Sequence, residues 1–159
     1  MSIQEAVRKE LAAWPSFSGD KRELRVRELG AWLSAEITAL DTLACSFVSF
    51  TLTVDALAPV GIERLKSVAE NLSRRLTYLL EPISAVEIDH DRCVVQLRSN
   101  PPQRGESSAS YYELLVQRPC EIRLCRHEAR HGAARQVVEA HVTREVLARL
   151  AADFAAAAE

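Results

Sequence analysis

The amino-acid sequence predicts an α+β fold: an antiparallel meander sheet of about five to six strands with two N-terminal helices, one central long helix and one C-terminal helix. Three observations carry the expectation. "CSFVSFTLTVD" alternates apolar and polar residues, the period of a half-buried strand. "IERLKSVAENLSRRLTYLL" repeats apolar residues at Ile62, Leu65, Ala69, Leu72, Leu76 and Leu79, the period of an amphipathic helix. From Pro82 to Ala140, short apolar segments alternate with turn-forming stretches, the rhythm of a meander.

The elements follow in order. Ser2 and Glu5 make an S-x-x-E capping box ahead of "AVRKELAAW", and Pro15 stops that helix. "SFSGD" reads as a linker, so residues 1–18 are peripheral to a single domain spanning 1–159. Asp20 then caps a second helix, "KRELRVRELGAWLSAEITAL", with a stripe at Val26, Leu29, Leu33, Ile37 and Leu40. After the strand at 45–55 and the helix at 62–80 come two hairpins. "ISAVEI" and "RCVVQL" are joined by "DHD"; "YYELLVQ" and "EIRLCR" are joined by Arg118-Pro119-Cys120, with Pro favoured at the second turn position. "QVVEA" is a further strand, and Thr143 caps the last helix, whose face is Val146, Leu147, Leu150 and Phe154.

Composition excludes several function classes. The net charge is −2, with 20 basic and 22 acidic residues interspersed, so no one-sided basic field marks a nucleic-acid binder. No apolar run reaches the ~18 residues of a membrane span, and the N-terminal segment lacks a signal-peptide h-region; the expected location is the cytoplasm. Cys45, Cys93, Cys120 and Cys125 are irregularly spaced without a C-x-x-C and read as idle thiols.

One string names a chemistry. His127-Glu128-Ala129-Arg130-His131 spells H-E-x-x-H, in which two histidines on one helical face share a zinc ion and the Glu activates water. A composition like this one produces the string by chance in about one chain in a hundred. Its flanks speak against a helix. Ile122 and Leu124 alternate with Glu121 and Arg123, Gly132 follows the second His, and the metzincin continuation is broken at Ala134 and Val137. The stretch "HEARHGAA" therefore reads as the solvated connection of a hairpin, with His127 on the surface. A second metal set would join Cys125 and His127, one face of a strand, to Cys120, His90 or Cys93; closed zinc-site spacing is missing, and no metal or other cofactor is expected. Asp89-His90-Asp91 suits a tight turn better than acid–base work. Of Tyr111 and Tyr112, one is expected in the core and one in solvent.

The functional expectation is a non-enzymatic protein-interaction or adaptor module that self-associates as a homo-oligomer, most simply a homodimer, with no nucleic acid and no membrane as partner. The alternative is a small-ligand-binding, cone-like or helix-grip domain with a pocket between sheet and central helix, drawing on Tyr78 or His90. The second alternative is a zinc-dependent hydrolase using His127-Glu128-x-x-His131.

Overall fold

The computed structural model describes residues 1–55 and 60–159. It contains three helices and a ten-stranded antiparallel sheet, with 48% strand and 25% helix. The helices are α1 (Ile3–Ala13), α2 (Ile62–Arg75) and α3 (Arg144–Ala157). The strands are β1 (Phe17–Glu28), β2 (Ala31–Leu40), β3 (Ala44–Val54), β4 (Ile83–Asp89), β5 (Val94–Ser99), β6 (Gln103–Arg104), β7 (Ser108–Gln117), β8 (Glu121–Arg130), β9 (Gln136–Val138) and β10 (Ala140–Thr143).

This corrects the fold class read from sequence. The second N-terminal helix does not exist, and the sheet is about twice as large as the meander foreseen. Residues 17–40 form the β1–β2 hairpin, with Val26 opposite Leu33 and Glu28 opposite Ala31. The helical stripe was a coincidence of spacing. Its member Leu29 is 94% exposed at the hairpin tip. Leu29 and Gly30 both have positive φ, 49° and 78°, as a two-residue hairpin turn of the primed type requires. The residues that do point inward are Leu24, Val26, Ala31, Leu33, Ala35 and Ile37, at a period of two. The "SFSGD" segment is the start of β1 rather than a linker, and Gly19 takes φ 89° where the register with β2 slips between Ser18 and Arg22.

The main path of the sheet is β1-β2-β3-β8-β7-β5-β4. Two meanders, β1-β2-β3 and β4-β5-β7-β8, are thus joined where Phe50–Thr53 of β3 pair with Leu124–Glu121 of β8. Below that join the sheet forks. The chain fills the fork itself: β9 pairs with the end of β8, and β10 pairs with the start of β3.

One face of the sheet carries an unbroken apolar row: Leu24, Leu33, Phe50, Leu52, Ile122, Leu124, Leu114, Val116, Val95 and Leu97 are at most 1% exposed. All three helices lie on this face. Val7 and Leu11 of α1, Leu65, Val68 and Leu72 of α2, and Leu147, Leu150 and Phe154 of α3 complete the core. Phe154 meets Phe50 edge-on, with ring centroids 5.2 Å apart. Local signals set the helix ends. Ser2 and Glu5 form a full capping box, and the Thr143 hydroxyl accepts from the Val146 amide. Arg64 of α2 donates to the carbonyls of Ala158 and Glu159, which satisfies groups left open at the end of α3. Helix α2 stops at Arg75, five residues before the end foreseen for it, yet Leu76 and Leu79 stay buried in the connection that follows.

The opposite face has no helix over it. Along its middle rows stand Arg25, Ser34, Thr51, Arg123, Leu115 and Gln96, in register across six strands. A largely polar open face of this kind is the usual state of an antiparallel sheet covered on one side only.

Candidate functional site

The β7–β8 ribbon carries polar groups on both faces, and strand alternation decides which goes where. In β7, Tyr112, Leu114 and Val116 point to the helices, so Tyr111, Glu113 and Leu115 point to the open face. In β8, Ile122, Leu124 and Arg126 share the helix side, while Arg123, Cys125 and His127 share the open side.

On the helix side, the Arg126 guanidinium donates to Glu81 at 3.1 Å, to Ser110 at 3.0 Å and to Gln103 at 3.2 Å, and lies 4.6 Å from the Tyr112 ring centroid. Glu81 in turn accepts from Ser99, whose hydroxyl takes the Tyr112 amide. The ion pair is nearly buried, with side-chain exposures of 10% and 14%. It ties the connection after α2 to the end of β8. Beside it opens a cleft of about 430 Å³ that includes Leu79, Pro101, Glu139 and His141. Glu139 and His141 also border a neighbouring cleft of about 540 Å³ that reaches Phe17, Asp41 and Cys45. Burial pushes the Cys45 thiol up to about 12, against a weaker pull from Arg144, so it is not a poised nucleophile.

On the open side, Glu113 is the centre. It is 5% exposed although no helix covers it. Arg135, from the turn between β8 and β9, folds over it and donates to both carboxylate oxygens and, at 3.3 Å, to the Tyr111 hydroxyl. Gln96 donates at 2.9 Å, the Arg98 guanidinium lies 3.7 Å away, and Nε2 of His127 lies 3.6 Å away. Tyr111 is sandwiched between Arg98, 4.5 Å from its centroid, and the His127 ring at 5.9 Å. Burial raises the Glu113 carboxyl, but the Arg135 hydrogen bonds and charge, with His127, more than offset this and hold it below the ordinary value. Burial lowers His127, Glu113 opposes that, and Arg135, Arg98 and Arg123 add to it; the imidazole is therefore held neutral at pH 7. A carboxylate committed to this many donors is a structural anion rather than a free general base.

Sequence readings of the site fare unevenly. His127 and Glu128 lie in strand β8, pairing with Tyr111 and Ser110 on one side and Val137 and Gln136 on the other, and His131 lies in the turn beyond. There is no helix to converge the two imidazoles. The connection is a hairpin, but its strands run deeper than foreseen, and His127 is 9% exposed rather than a surface residue. The wider metal set is divided. Val94 pairs with Gln117, which sets the His90–Cys93 turn beside the turn containing Cys120, at the far end of β7 from the Tyr111–His127 pair. No group of three metal-ligating side chains occurs among the described residues. All four cysteines are buried and free. The amide of Arg92 donates to Asp89 at 2.9 Å within the turn. Tyr78 donates to Asp153 of α3 at 2.7 Å, and no described contact joins it to His90. Tyr111 and Tyr112 are both buried, at 7% and 5%.

Sequence reasoning missed Glu113, Arg98, Arg135, Arg126 and Glu81. A signal existed for Glu113, a lone carboxylate inside "YYELLV". Its partner Arg135 lies 22 residues on, and only the fork in the sheet brings it back. No family model matches this chain, and neither a curated protein nor a solved structure matches it. No helix among the described residues is long and apolar enough to cross a membrane.

Proposed function

We propose that this chain is a protein-interaction module that pairs with a second copy of itself through the flank made by α2 and β4. The supporting observation is the state of β4. It is an outer strand, and its residues from Ser84 to Ile88 are all exposed, with Val86 at 53% and Ile88 at 39%. By contrast, Val95 and Leu97 of β5 and Leu114 and Val116 of β7, strands that also meet α2, are buried. Between β4 and α2 runs a groove of about 390 Å³, floored by Ala69, Ala85, Ile88 and Val95.

Charge favours a second copy as the occupant. The α2 rim of the groove carries Lys66, Glu70 and Arg74, alternating in sign at four-residue steps. A two-fold axis centred between Lys66 and Glu70 sets Lys66 of each copy against Glu70 of the other. Backbone extension of the sheet is not the mode. Both outer strands carry a register slip, at Ser18/Arg22 and at Ala85/Glu87, a device that blunts strand-to-strand pairing. The contact is made by side chains. A ligand pocket between the sheet and the inner face of α2 has little room, since Leu65, Val68 and Leu72 are fully buried there.

Light scattering over a concentration series tests this. The expected result is a dimer that Val86→Lys with Ile88→Lys converts to a monomer of unchanged circular dichroism. A wild-type chain that stays monomeric into the high micromolar range overturns it.

A further inference from the structure

Two buried polar atoms find no hydrogen-bond partner among the described residues: Nδ1 of His127 and Nε of Arg98. Both belong to the Glu113 group, on either side of the same Tyr111 ring. Elsewhere the described buried side-chain nitrogens and oxygens are satisfied, as is usual in folded proteins. The orphans therefore mark one spot where cohesion is incomplete, and it lies under the turn that connects β8 to β9.

That turn has one anchor of strength. Residues 131–135 are exposed, and the turn's contact with the sheet is Arg135 on Glu113 and Tyr111, backed by an Ala133 amide bond to the Arg130 carbonyl. The strand that follows is held to β8 by only three paired positions, Arg126 with Val138, His127 with Val137 and Glu128 with Gln136. Whatever weakens Arg135 on Glu113 loosens the turn and β9 together.

We propose that His127 is a proton-operated latch for the segment 131–138. With His127 neutral, Glu113 is the one acidic charge facing Arg135 and Arg98, and it holds Arg135 down. A proton on the imidazole adds a third cation against the same carboxylate. Nε2, already 3.6 Å from Glu113, then competes with Arg135 for it, and the two cations repel. The groups facing His127 are Glu113 and Tyr111 from β7, Arg98 from β5, Arg123 and Cys125 from its own strand, Arg135 from the turn, and uncharged Val137 from β9. The anion count is one against three arginines, so the added positive charge has no second carboxylate to meet. Among the described elements around Glu113, the segment is the one free to yield, because β5, β7 and β8 are locked in the apolar row beneath. The proton is taken from solvent and returned to it, and no bond other than N–H is made or broken.

This inference stands apart from the proposed self-association, since α2 and β4 are not involved. Amide protection factors for 131–138, corrected for intrinsic exchange, are to be measured at pH 7.5 and pH 5.5. They should fall by about tenfold, the worth of one charge-assisted contact, while those of β7 stay fixed. His127→Gln should abolish the fall, and His131→Gln, which removes the imidazole within the segment itself, should leave it in place. Should His127→Gln fail to fold, imidazole titration by NMR in Arg135→Gln decides: the His127 midpoint should rise when that cation is removed. Protection that is indifferent to pH, a fall that persists in His127→Gln, or a midpoint unmoved by Arg135→Gln overturns the latch.

Discussion

Arg126 and His127 are neighbours in the chain and stand on opposite faces of the sheet, each beside its own glutamate. Arg126 pairs with Glu81 at 3.1 Å on the helix side, and His127 Nε2 lies 3.6 Å from Glu113 on the open side. A strand sends successive side chains to opposite faces, so "RHEARHG" supplies two separate polar assemblies, without the helix that H-E-x-x-H chemistry needs. The string that suggested zinc chemistry is better understood as the place where the chain couples its two faces.

The Arg126–Glu81 pair should be strongly coupled. Both side chains are nearly buried, so removing one partner strands the other. Glu81→Gln should destabilise by about 3 kcal/mol, and Arg126→Met by a similar amount. The double replacement Glu81→Gln with Arg126→Met should cost clearly less than the sum, which urea denaturation of the four proteins would show. Additive losses would mean that the ion pair is not the fastener described.

The hairpin tip offers a direct contrast between the structure and the helical reading of residues 21–40. Leu29 has φ 49° and is 94% exposed, so it gains nothing from burial and is strained in the left-handed region. Leu29→Gly or Leu29→Asn should leave stability unchanged or raise it by roughly 0.5–1 kcal/mol, about 1–4 °C in Tm. In a helix the glycine variant would cost about 1 kcal/mol and lose an apolar contact besides. Calorimetry on these two variants separates the cases.

What was legible in the sequence depended on how exclusive each local signal was. Helices α1 and α3 announce themselves by cap residues and α2 by a long 3.6-residue period, and no strand pattern competes with them. Residues 21–40 satisfy both periods at once: Val26, Leu33, Ile37 and Leu40 fit a helix stripe, while Ala31, Leu33, Ala35 and Ile37 fit a strand face. The large side chains alone favour the helix; the strand face includes two small ones, Ala31 and Ala35, both buried inward positions. Gly30, in the middle of the supposed helix, was the discriminating residue. The site was less legible still. Glu113, Arg98 and His127 are brought together by register across β5, β7 and β8, and Arg135 by the fork between β3 and β8. Neither relationship leaves a trace in local sequence.

The core contact of Phe154 with Phe50 should be the costliest single apolar truncation. Both rings are fully buried and meet edge-on at 5.2 Å, joining α3 to β3. Phe154→Ala should lose about 3–5 kcal/mol, whereas Phe154→Leu should lose far less. A small loss for the alanine variant would show that α3 is not seated on the sheet as described.

Acid should weaken the fold in two steps whose sign follows from the Glu113 group. His127 is held below its ordinary value of 6.5 in the folded chain, so the unfolded chain binds more protons as pH falls through that region. The stability this group contributes is complete above about 6.5 and is lost as pH falls through the lower folded value. Glu113 is likewise held below 4.5, and its contribution is lost in a second, more acidic window. Both steps run the same way, so stability should decline monotonically from neutral pH toward pH 4. Chemical denaturation at pH 7.5, 5.5 and 4 should show it. In His127→Gln the loss between 7.5 and 5.5 should vanish while the loss below 4.5 remains, because only the carboxylate still titrates. An upper step that survives in His127→Gln would remove the physical basis for treating His127 as the proton-sensitive member of the Glu113 group.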